Sequence, residues 1–206
     1  MALSALLSSA AYAAEPGFDT FISHPGESID APGNTLPAFK LAVERGFGFE
    51  CDLRLSRDGR VFTLHDATFT HSTGGKCTNR CDELCWDEIR RLNVSAWGGW
   101  KDTEFNGMRP ALLEEVLDLA RDGRWIYLEV KDGLEIVPHI ARALAAQKRA
   151  NCRNVLFICF HPAVCRELKR QLPAYRVYLL SGARRRAKDG SLVAIPAEEM
   201  VRAAKA

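Results

Sequence analysis

The sequence lacks an apolar run of the roughly 18 residues that a membrane-spanning helix requires, so it predicts no transmembrane segment. It also lacks an excess of charge of one sign, since 28 Lys and Arg residues stand against 26 Asp and Glu residues, a formal charge of +2. Proteins that bind nucleic acid usually carry a concentrated basic footprint. The basic cluster here, Arg184–Arg186 with Lys188, is interpreted as a solvated loop. These absences predict a chain that spans no membrane and binds no nucleic acid.

Paired C-x-x-C motifs are missing as well, which argues against a zinc site although the chain has seven cysteines. Cys77, Cys81 and Cys85 are separated by three residues each, a spacing that permits one local disulfide in an exported protein. The other four cysteines are expected to pack as small buried side chains; they are Cys51, Cys152, Cys159 and Cys165.

The N-terminal segment, residues 1–13, is small and apolar and ends in Ala11-Tyr12-Ala13. It resembles the apolar region and the small-x-small cleavage site of a secretory signal, although the usual preceding positive charges are missing. The segment therefore predicts a signal peptide remnant and an exported protein, periplasmic or extracellular.

The remaining chain, residues 14–206, alternates strands with helices, which predicts one α/β domain. The predicted strands are Asp19–His24, Gly48–Arg54, Arg60–His65, Trp125–Lys131, Asn154–Phe160 and Arg176–Leu180. The predicted helices are Thr35–Arg45, Trp86–Leu92, Leu112–Arg121, Glu135–Gln147, Ala163–Leu172 and one beginning at Pro196, and the polar segment Ala67–Gly107 is expected to cover one end. This order favours a TIM-type (β/α) barrel, which usually needs about 250 residues. The pattern thus predicts a barrel truncated after about six strands and incomplete at the C-terminus.

Two of the predicted strands carry paired charges near their ends. Glu50 and Asp52 are two residues apart, so both side chains leave the same face of a strand, and Arg54 continues that face. Glu129 and Lys131 repeat the arrangement on another strand. Grouped carboxylates repel one another unless a cation separates them, and their oxygens suit Ca²⁺ or Mg²⁺. The pattern predicts a divalent metal site, with a buried salt-bridge cluster as the alternative.

Two histidines, His24 and His65, end predicted strands that should lie near the carboxylates. Imidazole titrates near neutrality, so a pair of histidines suits proton transfer in both directions. We therefore interpret His24 and His65 as a general acid and a general base beside the metal. His71 and His139 are expected at the surface, and His161 could reach the rim.

A series of motifs connects these residues: His24-x-Gly26, Asn34-Thr35-Leu36-x-Ala38-Phe39, Glu50-x-Asp52, Asp58-Gly59 through His65-Asp66, Pro110 with Leu113-Glu114-Glu115-Val116-Leu117, and Leu128-Glu129-Val130-Lys131. In this order, from about Phe18 to Leu180, the chain resembles the glycerophosphodiester phosphodiesterase family. The resemblance implies a metal-dependent barrel that cleaves glycerophosphodiesters into an alcohol and glycerol 3-phosphate. It further implies roles for six residues: Glu50, Asp52 and Glu129 as ligands of one divalent cation, His24 and His65 as the acid–base pair, and Lys131 as a phosphate contact.

Two positions depart from the family pattern. The family usually has His-Arg-Gly where this chain has His24-Pro25-Gly26, and Pro-Glu-Asn-Thr where it has Pro32-Gly33-Asn34-Thr35. If the arginine and the glutamate pair with each other in the family, losing both avoids an unpaired charge. It also removes a cation from the expected phosphate site, where Arg54 and Lys131 are the predicted substrate-binding cations.

Two functions follow from the sequence. The first is an exported phosphoric diester hydrolase that acts on glycerophosphodiesters or related lipid head-group diesters. Its nucleophile is water or a neighbouring hydroxyl of the substrate. Attack by the hydroxyl would release a cyclic phosphate. The alternative is a non-catalytic barrel, or an inactive truncated remnant, that binds phosphorylated head groups. The carboxylates and histidines favour the enzyme, whereas Pro25 and Gly33 favour the alternative. Both imply a small-molecule phosphodiester as partner and leave the oligomeric state open.

Overall fold

The computed structural model describes residues 21–120, 124–147, 150–151, 153–182 and 184–205. The predicted leader at residues 1–13 and Cys152 lie outside these ranges, so export and the packing of Cys152 stay predictions. Within the described ranges, no helix is long and apolar enough to cross a membrane.

The main sheet contains six strands and orders five of them as β1-β2-β4-β5-β6, with parallel neighbours. These strands are β1 (Ile22–Ser23), β2 (Gly48–Leu55), β3 (Val61–Thr63), β4 (Ile126–Val130), β5 (Val155–Cys159) and β6 (Arg176–Leu179). The helices are α1 (Leu36–Glu44), α2 (Trp86–Ile89), α3 (Leu113–Leu117), α4 (Val137–Ala146), α5 (Pro162–Gln171) and α6 (Ala197–Lys205). Short 3₁₀ turns cover Cys81–Glu83, Trp100–Asp102 and Leu134–Ile136. Helices joining parallel strands agree with the predicted α/β class.

The two faces of β2 have opposite character, as its sequence predicts. Cys51 and Leu53 are fully buried in the apolar core that also contains helix residues such as Phe39, Val116 and Ile140. Because side chains alternate along a strand, the residues between them point to the other side of the sheet. The helices therefore cover one face of the sheet, and the charged residues of β2 occupy the other.

The third strand runs in a direction that was not predicted from the sequence. β3 pairs with β2 in the antiparallel direction, with Leu53 opposite Thr63, so it is not one of the parallel barrel strands. The five-residue link from Ser56 to Arg60 turns at Gly59, whose φ is +80°. A link of this length can form a hairpin, whereas a parallel crossover needs about a dozen residues or more. His139, predicted at the surface, is partly buried against Gly59.

The segment between β3 and α3 folds beside the β2–β3 hairpin, as expected for a covering insertion. Its apolar residues pack against Phe62 of β3 in a second cluster, whose other members are Leu64, Phe69, Cys81, Ile89 and Val94. Cys77, Cys81 and Cys85 are free thiols, so the disulfide that their spacing permits is not formed.

The basic cluster was expected to be a loop but forms a strand. Arg184–Arg186 is β7, which pairs in antiparallel fashion with β8 (Leu192–Ala194) in a separate hairpin. All three arginines are exposed, so the solvated character that the sequence indicates is confirmed.

Candidate active site

Three carboxylates meet on the polar face of the sheet. Glu50 and Asp52 come from β2 and Glu129 from β4, and the parallel register sets Asp52 directly beside Glu129. One oxygen of each lies within 4.8 Å of the others, and all three residues are buried. The structure thus brings together the three predicted metal ligands.

Lys131 provides a positive charge next to this cluster. Its Nζ lies 2.6 Å from Glu129 Oε1 and 3.0 Å from Asp52 Oδ1. Burial lowers the pKa of the ammonium, but the hydrogen bond to Glu129 and the nearby Asp52 outweigh that effect, and the pKa is raised overall. Lys131 is therefore a permanent cation beside three acidic groups.

The cluster contains more negative charge than one lysine balances. Among the described residues, neither carboxylate oxygen of Glu50 has a hydrogen-bond partner, although both are buried. Burial first, and then repulsion from Asp52 and Glu129, raise the pKa of Glu50 to about 9. Buried polar atoms are normally satisfied, so these oxygens are available to a ligand from outside the protein. A hard divalent cation bound by oxygen fits this donor set.

Asn34, which the sequence reasoning did not select as a site residue, holds Asp52 in place. Its Nδ2 donates to Asp52 Oδ2 at 2.6 Å, and the Asp52 backbone N–H donates to Asn34 Oδ1 at 3.0 Å. Thr63 Oγ1 donates to the Asn34 carbonyl at 2.7 Å. Asn34 adopts a left-handed φ of 59°, which asparagine tolerates better than most residues. The sequence signal for this role was the adjacent pair Asn34-Thr35 in the loop before α1.

The two predicted histidines lie at the mouth of the site, with 66% of each side chain exposed. His24 Nε2 is 3.5 Å from Glu50 Oε2. His65 Nδ1 is 2.8 Å from Asp66 Oδ1. A carboxylate on one ring nitrogen fixes the orientation of an imidazole and leaves the other nitrogen available. Asp66 is thus a positioning residue, and its place directly after His65 was a signal for that role.

Arg54, the other predicted substrate-binding cation, contacts protein groups. Its guanidinium donates to Asp132 Oδ1 at 2.8 Å and to the His65 carbonyl at 2.6 Å. The other Asp132 oxygen accepts the Leu55 backbone N–H at 2.7 Å. These contacts give Arg54 a positioning role for the chain at His65, and they provide no support for a contact with substrate.

Comparison with known sequences points to one family. The profile described as "Glycerophosphoryl diester phosphodiesterase family" matches residues 24–205. A glycerophosphodiester phosphodiesterase of Caldanaerobacter subterraneus is 32% identical over 163 residues, which are 77% of this chain and 65% of that protein. Glycerophosphodiester phosphodiesterase 1 of Bos taurus is 36% identical over 111 residues, which are 53% of this chain and 33% of that protein. The chain thus spans less than two thirds of the length of these relatives.

Solved structures agree on the fold. A phosphodiesterase from Oleispira antarctica, in complex with the product sn-glycerol-3-phosphate, superposes with a TM-score of 0.73 at 23% identity, over 89% of this chain and 70% of that one. A glycerophosphodiester phosphodiesterase from Agrobacterium tumefaciens gives a TM-score of 0.62 at 25% identity, over 77% and 65%. These neighbours are TIM barrels, so the predicted barrel class is confirmed.

Proposed function

The chain belongs to the glycerophosphoryl diester phosphodiesterase family, and from that membership we propose that it hydrolyses glycerophosphodiesters to an alcohol and glycerol 3-phosphate. The observation that carries the proposal is the cluster of three buried carboxylates beside Lys131 and His24. In this proposal Glu50, Asp52 and Glu129 hold one divalent cation, Ca²⁺ or Mg²⁺. The chemistry that the bound cation supplies is neutralisation of charge on the phosphoryl oxygens.

Lys131 is proposed to bind the phosphate of the substrate. An ammonium group has three donors, and two of them face Glu129 and Asp52. The third donor can contact a phosphoryl oxygen. The two carboxylates keep this cation fixed, so binding phosphate requires little rearrangement of the side chain.

His24 and His65 are proposed to move the protons of the reaction. One histidine accepts a proton from the nucleophile, and the other gives a proton to the leaving alcohol. Attack by water releases glycerol 3-phosphate, whereas attack by a neighbouring hydroxyl of the substrate would release the alcohol and a cyclic phosphate. Because His65 Nδ1 faces Asp66, Nε2 of His65 is the nitrogen available for this transfer. Both rings are largely exposed and therefore accessible to substrate.

A direct assay tests the proposed reaction. The protein is incubated with a glycerophosphodiester and Ca²⁺ or Mg²⁺, and release of glycerol 3-phosphate is followed enzymatically, with excess chelator as the control. We expect release that depends on the cation. Folded protein that binds the diester but releases nothing with either cation would support the alternative of a non-catalytic binding barrel, which Pro25 and Gly33 favour.

Replacing Asp66 tests how His65 is held. In Asp66→Asn the ring loses its charged partner, so we expect kcat to fall about 10- to 100-fold, the usual loss when a hydrogen-bonded partner that orients a site histidine is replaced. KM should change little, because Asp66 is not proposed to bind the phosphate. Asp82→Asn is the control, since Asp82 pairs with Arg80 at an exposed position. Equal kcat values for Asp66→Asn and the native protein would contradict the positioning role.

A further inference from the structure

A cleft of about 590 Å³ opens beside the proposed active site, within the size range of about 300–1,000 Å³ that is usual for small-molecule sites. Two of its lining residues belong to the site itself. His65 is one of the proposed proton-transfer residues, and Asn34 holds Asp52. A group attached to the phosphate oxygen that faces His65 would therefore extend into this cleft.

The character of the cleft differs from that of the carboxylate site. Its apolar wall is formed by Pro25, Leu64, Val94 and Trp97, and none of the described residues that line it is a lysine or an arginine. The carboxylate of Asp66, which also lines it, is engaged with His65. Lys131, the proposed phosphate contact, is not among the residues that line the cleft and is paired with Asp52 and Glu129. The cleft therefore favours an uncharged apolar group and disfavours a second negative charge.

Pro25 and Gly33, the two departures from the family pattern, lie against each other in this wall. A Cβ at position 33 would lie 2.8 Å from Pro25 Cγ and 3.3 Å from the Pro25 carbonyl oxygen. The wall thus has no space for a side chain at position 33 while the proline ring is present. The two departures form one apolar surface, which explains why they occur together.

The covering insertion contributes aromatic residues to the lining of the cleft. Trp97 and His71 both line the cleft, and their ring centroids are 4.9 Å apart. His71, expected only at the surface, is exposed but faces this space. A broad aromatic ring provides a large apolar contact area for a hydrocarbon or aromatic group.

We propose that this cleft binds the alcohol portion of the diester that faces His65 and selects apolar alcohols over alcohols that carry a negative charge. The inference rests on the proposed diesterase function and names the substrate class for it. Apolar alcohols gain from burial against Pro25 and Trp97. Anionic alcohols would bring an unpaired charge next to Asp66.

Three diesters of glycerol 3-phosphate test this selectivity: the propyl ester, the hexyl ester and the ester of 6-hydroxyhexanoate, which matches the hexyl ester in length but ends in a carboxylate. We expect kcat/KM for the hexyl ester to exceed that for the carboxylate ester by at least about tenfold, since contacts in an apolar pocket commonly give such factors. Values within about threefold of each other would overturn the proposal.

Substitution of Trp97 locates the effect. Trp97→Ala should lower the hexyl-to-propyl ratio of kcat/KM by about tenfold, and Trp97→Phe should keep most of that ratio. Trp100→Ala is the matched control, because Trp100 packs on Phe105 at 5.8 Å between ring centroids and is not among the residues that line the cleft. An equal loss on all three esters in Trp97→Ala would indicate a structural role and would overturn the proposal.

A binding measurement separates failure of this inference from failure of the proposed reaction. The hexyl and the 5-carboxypentyl phosphonate analogues of the diesters, which lack the cleavable bond, are titrated by calorimetry in the presence of Ca²⁺. If no ester is hydrolysed but the hexyl analogue binds tighter and depends on Trp97, the proposed reaction is wrong and the cleft assignment stands. Equal affinity for the two analogues overturns the cleft assignment, whatever the assay of hydrolysis gives.

Discussion

His65→Ala is expected to lower kcat by about two to four orders of magnitude, the usual contribution of a general acid or base. The ring is 66% exposed, and the side chain that orients it is the neighbouring Asp66. Replacing His65 should therefore change the midpoint of thermal unfolding little. A large loss of rate without a loss of stability would identify His65 as a participant in proton transfer rather than as a structural residue.

The same variant can assign the role of His65. A diester with an acidic phenol as leaving group needs no proton on the departing oxygen, so loss of a general acid has a smaller effect on it. If His65 is the acid, His65→Ala should lose much less rate on the phenyl-type diester than on an alkyl diester. If His65 is the base, both substrates should lose rate equally.

His161→Ala is the matched control for these measurements. His161 is an exposed histidine just beyond the end of β5, and its side chain makes no capping hydrogen bond to α5. We expect its kcat to stay within about threefold of the native value, as is usual for a histidine without a role in proton transfer. A His65→Ala rate as high as that of His161→Ala would remove His65 from the proposed mechanism.

The metal cluster could be predicted from sequence because it depends on local rules. Side chains two residues apart share a face of a strand, and this rule alone places Glu50 and Asp52 together. Parallel strands end at the same rim of a barrel, which adds Glu129 and Lys131. No long-range detail is required beyond the adjacency of two strands.

Other features depend on distances that sequence patterns do not report. Arg54 is on the predicted face, but its long side chain reaches Asp132 and the His65 carbonyl instead of the metal cluster. The direction of β3 could have been predicted, because the link from Ser56 to Arg60 is too short for a parallel crossover. That Pro25 and Trp97 line one cleft depends on how the covering insertion folds, and no periodicity in the sequence indicates that.

Glu50→Gln should remove most of the rise in Tm that added cation produces. Without cation, the variant should be as stable as the native protein or more stable. In chelator, the carboxyl group of Glu50 is buried beside two other acidic groups, and neither of its oxygens has a hydrogen-bond partner among the described residues. An amide has nearly the same shape, adds no negative charge and can donate hydrogen bonds to the neighbouring carboxylates. Because its pKa is raised to about 9, Glu50 must take up a proton when the metal-free protein folds at neutral pH. This proton uptake costs stability, and the amide avoids the cost.

The native protein should respond strongly to added cation. A ligand at about 100 times its Kd stabilises the folded state by about 2.7 kcal/mol, which corresponds to a rise of about 5–10 °C in Tm for a chain of this size. Glu50→Gln should lose most of this rise, and its kcat in saturating cation should fall by at least about two orders of magnitude, as expected when charge stabilisation of the reacting group is lost. Thermal unfolding with Ca²⁺, with Mg²⁺ and with chelator measures the change in Tm.

Glu115→Gln provides the contrast that makes this result specific. Glu115 is also a partly buried carboxylate, but Arg109 donates two hydrogen bonds to it, and the Leu112 backbone N–H donates a third. The hydrogen bond from Arg109 outweighs burial and lowers the pKa of Glu115, so this carboxylate is stabilised within the protein. Glu115→Gln should lower Tm equally with and without cation, and its metal-induced rise should match the native rise. A carboxylate that is hydrogen-bonded within the protein contributes to the fold, whereas one without partners is available to a ligand. If cation raised the Tm of both variants equally, Glu50 would not be a metal ligand.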